Sequence, residues 1–236
     1  MISNEKNDTI VLPVSLGEAI DKLTILDIKL DNIKDNRRKD VEIEYNLLYK
    51  KLKEFIEKYK DLYNSMKKVN MLIWDMMDKL RDAELRDDIY LKICKDCIEY
   101  NDIRFRIKNK INYVSKSDLK EQKGYKINRL LIEIPDIYQD LQHFIIPIKY
   151  YSFFYDEIYI VYNGESNIIK EHFEYDPTII PLNIINSSEN STSLNYISLP
   201  AKEDIKRTII FTDKIYEKND IYKIFELNEE KINQIL

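Results

Sequence analysis

The segment Val14-Ser15-Leu16-Gly17-Glu18-Ala19-Ile20-Asp21-Lys22-Leu23-Thr24-Ile25-Leu26-Asp27-Ile28-Lys29-Leu30 sets the first helix and its buried face. Ser15 and Glu18 form a capping-box pair, in which each side chain can bond a free backbone N–H of the first helical turn. The apolar residues that follow alternate spacings of four and three, which is typical of one buried helix face. They are Ala19, Leu23, Leu26, Leu30 and Ile33. The pattern predicts a helix over about residues 15–33.

A longer segment continues this periodicity. From Val41 to Ala83 the apolar positions alternate spacings of four and three through six heptads, which favours coiled-coil-like packing. An unbroken helix of this length would extend roughly 60 Å, and a kink is expected at residues 64–65. A third segment, about residues 88–114, carries Arg104 on its apolar face, where a guanidinium needs a carboxylate or ligand partner. Short connections between these helices predict an elongated antiparallel three-helix region.

The second half changes period near residue 126, where short β-branched and aromatic runs replace the heptads. Strands alternating with helices indicate a small α/β domain with a mostly parallel sheet. The predicted strands are 130–134, 157–162, 178–185 and 208–212, the helices are 136–154, 166–173 and 228–235, and residues 186–195 form a surface loop. The predicted class is therefore α+β, with a helical bundle over 14–115, a linker over 116–125 and the α/β domain over 126–236.

Composition excludes several function classes. The chain has only three glycines, so Walker loops, dinucleotide-binding G-x-G-x-x-G loops and G-x-S-x-G elbows cannot be built. A net charge of −5 gives no general attraction to nucleic acid or to an anionic membrane. Cys94 and Cys97 lack the two further ligands of a zinc site. We therefore expect no cofactor, no metal, no nucleic acid and no membrane span.

Localisation is predicted from the amino terminus and from residue usage. Residues 1–8 contain no apolar run after a basic segment, so no secretory signal is expected. The abundance of Asn, Ile, Lys and Tyr indicates an AT-rich genome, bacterial or viral. The predicted location is the cytoplasm, which for a virus means the host cytoplasm or the virion.

Helical spacing groups the polar residues that could form a site. One stripe contains Trp74, Asp78 and Arg81; a second contains Asn101, Arg104 and Lys108; and a structural polar cluster contains Glu18, Asp21 and Lys22. Glu121, Lys123 and Tyr125 are candidate binding residues at the junction of the two halves. If the stripes face one another, they form either an ion-pair network that sets helix register or a pocket for an anion or sugar phosphate. No catalytic residue is predicted.

Four basic residues recur within two turns of the third predicted helix. They are Arg104, Arg106, Lys108 and Lys110. Because they point to several sides of the helix and acids are plentiful elsewhere, the pattern favours a solvated face over a nucleic-acid-binding stripe.

Four sequence blocks appear in the order of a known family. They are 14–30, 73–84 (Ile-Trp-Asp-Met-Met-Asp-Lys-Leu-Arg-Asp-Ala-Glu), 101–112 (beginning Asn-Asp-Ile-Arg) and 121–125 (Glu-Gln-Lys-Gly-Tyr). Over residues 12–126 the chain resembles a small, uncharacterised helical family found largely in bacteria. That resemblance implies a link to surface-polysaccharide and glycosyltransferase genes. Met77 and Gln122 stand where the family has glutamate, so any role of those two carboxylates is lost here.

The order of elements over residues 130–212 also resembles the acceptor-side half of heptosyltransferase-type glycosyltransferases. Most of that likeness is carried by residues 169–177, Ile-Lys-Glu-His-Phe-Glu-Tyr-Asp-Pro. Pro135-Asp136 replaces the Gly-Asp that follows the first strand in those enzymes, and no D-x-D motif is present for a nucleotide diphosphate.

Two function hypotheses follow from these observations. The leading one is a non-catalytic accessory or assembly protein of glycan or surface-polymer production, which uses its helical region for a protein partner or for self-association. The alternative is a sugar-phosphate or nucleotide-sugar binding protein, or a degenerate glycosyltransferase-like enzyme, that acts at the junction of the two regions. A dry, salt-bridged junction favours the first, and a cleft there lined by Trp74, Arg81 and Arg104 favours the second.

Overall fold

A computed structural model describes residues 12–81, 84–135, 137–138, 141–162, 167–182 and 199–236. Within these residues the protein is an α+β fold, in which helices are followed by a small α/β domain. The predicted loop over 186–195 lies outside the described residues.

The described part of the first half contains four helices. They are α1 (Leu16–Asn32), α2 (Arg38–Lys58), α3 (Lys60–Leu80) and α4 (Asp87–Val114). The start of α1 is confirmed at the predicted cap, because the backbone N–H of Glu18 donates to Ser15 Oγ at 3.2 Å. The Glu18 carboxylate does not return to the cap, since it pairs instead with Lys108.

The long second helix predicted from the heptads is divided in two, and the prediction of a single helix kinked at residues 64–65 was wrong. The division falls at Tyr59, whose backbone leaves the helical region at φ −123° and ψ 47°. The change of direction lets both α2 and α3 pack against α1, while α3 also packs along α4. A single straight helix over residues 38–80 would be much longer than α1, so most of it would extend past α1. With the break at Tyr59, both α2 and α3 contact α1.

The α/β half contains four strands and four α-helices in the described residues. The strands are β1 (Arg129–Ile134), β2 (Glu157–Tyr162), β3 (Ile179–Leu182) and β4 (Ile205–Ile210). The helices are α5 (Gln142–Tyr151), α6 (Asn167–Phe173), α7 (Lys218–Ile224) and α8 (Glu229–Ile235). The sheet order is β3-β2-β1-β4 with every pair parallel. Helix α7 was not predicted, and α5 begins six residues later than expected.

The buried core runs through both halves of the chain. Ile103, Ile107 and Ile111 of α4 belong to the same apolar cluster as Leu130 and Ile132 of β1. The carboxyl-terminal half of α4 therefore lies between the other helices and the sheet, and its surroundings decide where a site can form.

Candidate functional site

The carboxyl-terminal half of α4 carries three buried cations. Arg106, Lys108 and Lys110 are each less than a tenth exposed, so the prediction of a solvated basic face was wrong for these three residues. An unpaired buried charge is strongly destabilising, and each cation accordingly has a carboxylate partner from a different part of the chain. These three sets of ion pairs surround the apolar core that the two halves share.

Lys108 joins α1 to the segment that connects the two halves. Its ammonium lies 2.6 Å from Glu18 Oε1 and also contacts the Glu121 carboxylate, and Lys123 lies 3.4 Å from the other oxygen of Glu121. Burial alone would lower the pKa of Lys108, but its hydrogen bonds with Glu121 and Glu18 raise that pKa above its ordinary value. Lys108 is therefore a charged, structural contact that ties the predicted residues Glu18, Glu121 and Lys123 together.

Arg106 and Lys110 bind the amino-terminal edge of the sheet. Arg106 Nε donates to Asp156 Oδ1 at 2.8 Å, and Asp156 also accepts the backbone N–H of Asn128 just before β1. Lys110 pairs with Asp176 and donates to Thr178 Oγ1 at 3.1 Å, just before β3. The sheet is thus held to α4 at the amino-terminal edge of its strands. Parallel sheets usually bind ligands at the opposite edge, outside the carboxyl ends of the strands.

The predicted polar residues do not form one cluster. Arg104 Nε lies 4.0 Å from Asp21 Oδ2 and Arg104 Nη2 donates to Asn101 Oδ1 at 2.8 Å, so Asp21 is the acid that meets Arg104. Asp21 is also the acceptor of a buried hydrogen bond of 2.8 Å from Asn70 Nδ2. Lys22 faces away from this group and pairs with Glu44 of α2 at 2.5 Å.

Asp78 and Arg81 of the first stripe lie near the end of α3, apart from these residues. Asp78 and Arg81 pair with each other at 2.5 Å on an exposed surface, and Trp74 is half-buried. Since α3 and α4 form an antiparallel hairpin, the last turns of α3 lie beside the first turns of α4. Arg104 is seventeen residues beyond the start of α4, which is about 25 Å along a helix. Arg81 is therefore too far from Arg104 for these two side chains to line one pocket.

A different cleft is present at the junction. It has a volume of about 320 Å³ and lies between α4, the connecting segment 116–128 and the amino-terminal edge of the sheet. Its lining includes Phe105, Arg106, Asn109, Tyr113, Lys120, Lys123, Tyr125 and Asp156. Lys123 and Tyr125 were predicted from sequence as junction residues, whereas Arg106 and Asn109 were not. The apolar spacing along α4 does not mark Arg106 and Asn109 as cleft residues. Their position follows from the burial of this half of α4 on several sides, which the spacing does not reveal.

Two buried atoms in the lining of this cleft lack partners. Within the described residues neither Arg106 Nη2 nor Asn109 Oδ1 has a hydrogen-bond partner, although buried polar groups are nearly always bonded. A second cavity of about 360 Å³, beside Tyr59 and Lys110, contains no such atom among its described residues. The junction cleft is thus a place where the structure leaves hydrogen-bonding capacity unused.

Tyr125 supplies a neutral hydroxyl at the mouth of the cleft. Burial raises the pKa of Tyr125 to about 12, and the nearby Asp102 carboxylate acts in the same direction. The hydroxyl therefore remains protonated at neutral pH, and it is hydrogen-bonded to the Asp102 carboxylate.

A second feature is the far end of the α3–α4 hairpin, which we call the arm and define as residues 71–81 and 84–98. None of these described residues is fully buried. The arm nevertheless exposes five large apolar side chains, which are Met77, Ile89, Tyr90, Leu91 and Ile98. Two helices alone cannot cover such a surface.

Comparison of the chain with family models, with curated proteins and with solved structures finds no match. The resemblances drawn from the sequence blocks therefore stay predictions. In the described residues no helix has the length and apolar character that crossing a membrane requires.

Proposed function

We propose that this protein is a non-catalytic assembly protein that associates with a second copy of itself through the arm. The observation that carries the proposal is the exposure of Leu91 and Ile98, at 59% and 66%, on a hairpin end without a fully buried residue in its described part. Monomeric proteins rarely leave contiguous apolar surface uncovered. A partner that covers the arm would remove this surface from water.

Two of the exposed apolar side chains, Leu91 and Ile98, lie on one face of α4. Asp87, Leu91, Lys95 and Ile98 follow spacings of four, four and three, which place them along a single helical stripe. Each large aliphatic side chain that passes from exposed to buried contributes about 1.5–3 kcal/mol. Two copies of Leu91 and Ile98 therefore supply a substantial part of the free energy of a dimer.

The charges on this stripe favour a second copy of the chain as the partner. In an antiparallel pair with Leu91 on the two-fold axis, Asp87 of one copy faces Lys95 of the other, because both positions are four residues from Leu91. A two-fold interface repeats that contact. Both side chains are exposed, and neither has an ion pair within the described residues.

The connection to glycan or surface-polymer production is a separate part of the proposal. It is supported by the resemblance of residues 12–126 to the helical family described above. In this role the protein would act as a dimeric scaffold, and its partners would be components of that production machinery.

Sedimentation equilibrium of the full chain tests the dimer. The wild-type chain is expected to be a dimer, and Leu91→Glu a monomer, because the substitution places a charge at the centre of the interface. Ile215→Glu is the matched control, since Ile215 is 74% exposed but lies outside the arm, and it should remain dimeric. A wild-type chain that stays monomeric at high concentration would contradict the proposal.

A charge exchange tests the register of the two copies. Asp87→Lys should weaken the dimer, because the introduced ammonium would face Lys95 of the other copy. Combining Asp87→Lys with Lys95→Asp should restore the dimer, since opposite charges face each other again. If the double variant dimerises as weakly as Asp87→Lys alone, the register of the two copies is different from the one proposed.

A further inference from the structure

We propose that the junction cleft binds a small phosphate ester that also carries hydroxyl groups. This inference goes beyond the assembly role, because it concerns a different surface of the molecule. Its basis is a cleft of about 320 Å³ whose lining includes three basic side chains and two buried atoms without partners in the described part of the chain. Small-molecule sites commonly begin at about 300 Å³, so the volume suits a ligand of the size of a phosphorylated monosaccharide.

The charge of the lining favours an anion. Arg106, Lys120 and Lys123 line the cleft together with the acids Asp156 and Glu157. Both acids are already engaged: Glu157 is 2.6 Å from Arg129 Nε, and Asp156 binds Arg106 and the N–H of Asn128. Lys120 has no ion pair within the described residues, and Lys123 has only the 3.4 Å contact with Glu121 there. The two lysines therefore retain donors for an incoming anion.

The two unpartnered atoms indicate which hydrogen-bonding groups the ligand should carry. Arg106 Nη2 is a donor and needs an acceptor, whereas Asn109 Oδ1 is an acceptor and needs a donor. The residues are three apart in α4 and both line the cleft. Both atoms are buried in the structure, so one ligand contacts both when rotation of the two side chains turns these atoms into the cleft. A phosphate offers acceptor oxygens, which basic side chains bind with charge-assisted hydrogen bonds. A fully ionised phosphate has no donor, and the Asn109 oxygen therefore calls for a hydroxyl group on the same molecule.

The remaining lining fits such a ligand. The hydroxyl of Tyr125 is hydrogen-bonded to Asp102, and its oxygen can still accept a hydrogen bond from a hydroxyl group of the ligand. The rings of Phe105 and Tyr113 provide apolar surface for the carbon face of a sugar ring, and the Lys123 ammonium lies 5.4 Å from the centre of the Phe105 ring. Anionic and apolar parts of one ligand thus have separate places in the cleft.

Isothermal titration calorimetry of the full chain with glucose 6-phosphate, inorganic phosphate and glucose tests this proposal. Glucose 6-phosphate should bind, inorganic phosphate should bind more weakly, and glucose should not bind. If neither phosphate compound binds, or if glucose binds as tightly as its phosphate, the proposal is wrong.

Two sets of variants assign the contacts. Replacing Lys120 and Lys123 together by glutamine should weaken glucose 6-phosphate binding about tenfold or more, because charge-assisted hydrogen bonds are lost. Lys116→Gln with Lys126→Gln is the control, since it removes the same charge from the same segment outside the cleft lining. An equal loss in this control would show a general charge effect and overturn the site.

Asn109→Leu tests the hydroxyl contact. It should leave the affinity for inorganic phosphate unchanged and reduce the preference for glucose 6-phosphate. A preference that survives this substitution would overturn the role of Asn109. Circular dichroism and melting temperature show that each variant is folded, so loss of binding is distinguished from loss of structure.

Discussion

The backbone N–H of Gly17 donates to Asn112 Oδ1 at 2.7 Å, which joins the first turn of α1 to the last turns of α4 across 95 residues of sequence. The two helices touch here because Gly17 has no side chain. A Cβ atom at this position would lie 2.6 Å from the backbone oxygen of Lys108 and 2.8 Å from Asn112 Oδ1. The contact also brings Glu18, the next residue, within 2.6 Å of Lys108.

Gly17→Ala should therefore destabilise the protein, although alanine is the better helix former. The new methyl group must push α1 away from the backbone of α4, and overpacking of this kind costs about 1–3 kcal/mol. Gly124→Ala is the matched control, since no atom lies within 4 Å of a Cβ built there. Urea unfolding measures both variants, and equal free energies of unfolding would contradict the close approach.

The buried hydrogen bond between Asp21 and Asn70 should matter more than the ion pair between Asp21 and Arg104. Asp21→Ala leaves an amide hydrogen of Asn70 without this acceptor, and stranding a buried donor costs about 1–3 kcal/mol. Arg104→Met removes a partly exposed guanidinium 4.0 Å from the carboxylate, and contacts of that kind contribute about 0–1 kcal/mol. Thermal unfolding of the two variants compares them, and equal melting temperatures would show that the ion pair matters as much as the hydrogen bond.

The pair of Lys110 and Asp176 predicts a loss of stability in acid. Burial opposes ionisation, but the Lys110 ammonium holds the pKa of Asp176 below its ordinary value of 3.8. A carboxylate whose pKa is lower in the folded state stabilises the protein above the pKa of the unfolded state and loses that contribution as the pH falls through the folded-state pKa. Asp176→Asn should therefore be most destabilising near neutral pH, with a difference from wild type that shrinks in acid below a pH of about 4.

The double variant Lys110→Met with Asp176→Asn serves as the control for this pair. Removing the acid alone leaves a buried ammonium unpaired, which costs about 3–5 kcal/mol, whereas removing both charges is often far less harmful. Urea unfolding at several pH values measures the three proteins. A double variant as unstable as Asp176→Asn would mean that the packing of these side chains, and not their charge, determines stability.

Several elements could be predicted from sequence because their signals are local. The cap at Ser15 was confirmed, since a serine hydroxyl just before a helix can accept a backbone N–H of the first turn wherever that helix lies. The limits of α4 and of β1 were predicted to within one residue, and those of β2 match the prediction at both ends. Helix α7 was not predicted, although α6 and α8, which are equally short, were.

The break at Tyr59 shows why a regular pattern can mislead. The apolar spacing of the heptads continues across Tyr59 without interruption, so the sequence contains no local sign that the helix ends there. The break depends on the length of α1 and on the position of α4, and both belong to the assembled fold. The hydroxyl of Tyr59 lies 3.5 Å from the backbone oxygen of Val114, so the break itself contacts the carboxyl end of α4.

The order of residues was enough to specify the two halves of this protein, most of their helices and strands, and the need of Arg104 for an acid. The spacing of apolar residues, the capping residues and a charge on an apolar helix face are each defined by a few neighbouring residues. They can therefore be recognised from sequence, before the fold is known. The burial of Arg106, Lys108 and Lys110, and the cleft with unpartnered atoms beside them, depend on tertiary packing. A helix that is covered on all sides has no solvent face, so burial there is set by elements far away in sequence. For the same reason the arm could be recognised as uncovered only after every neighbouring helix had been placed.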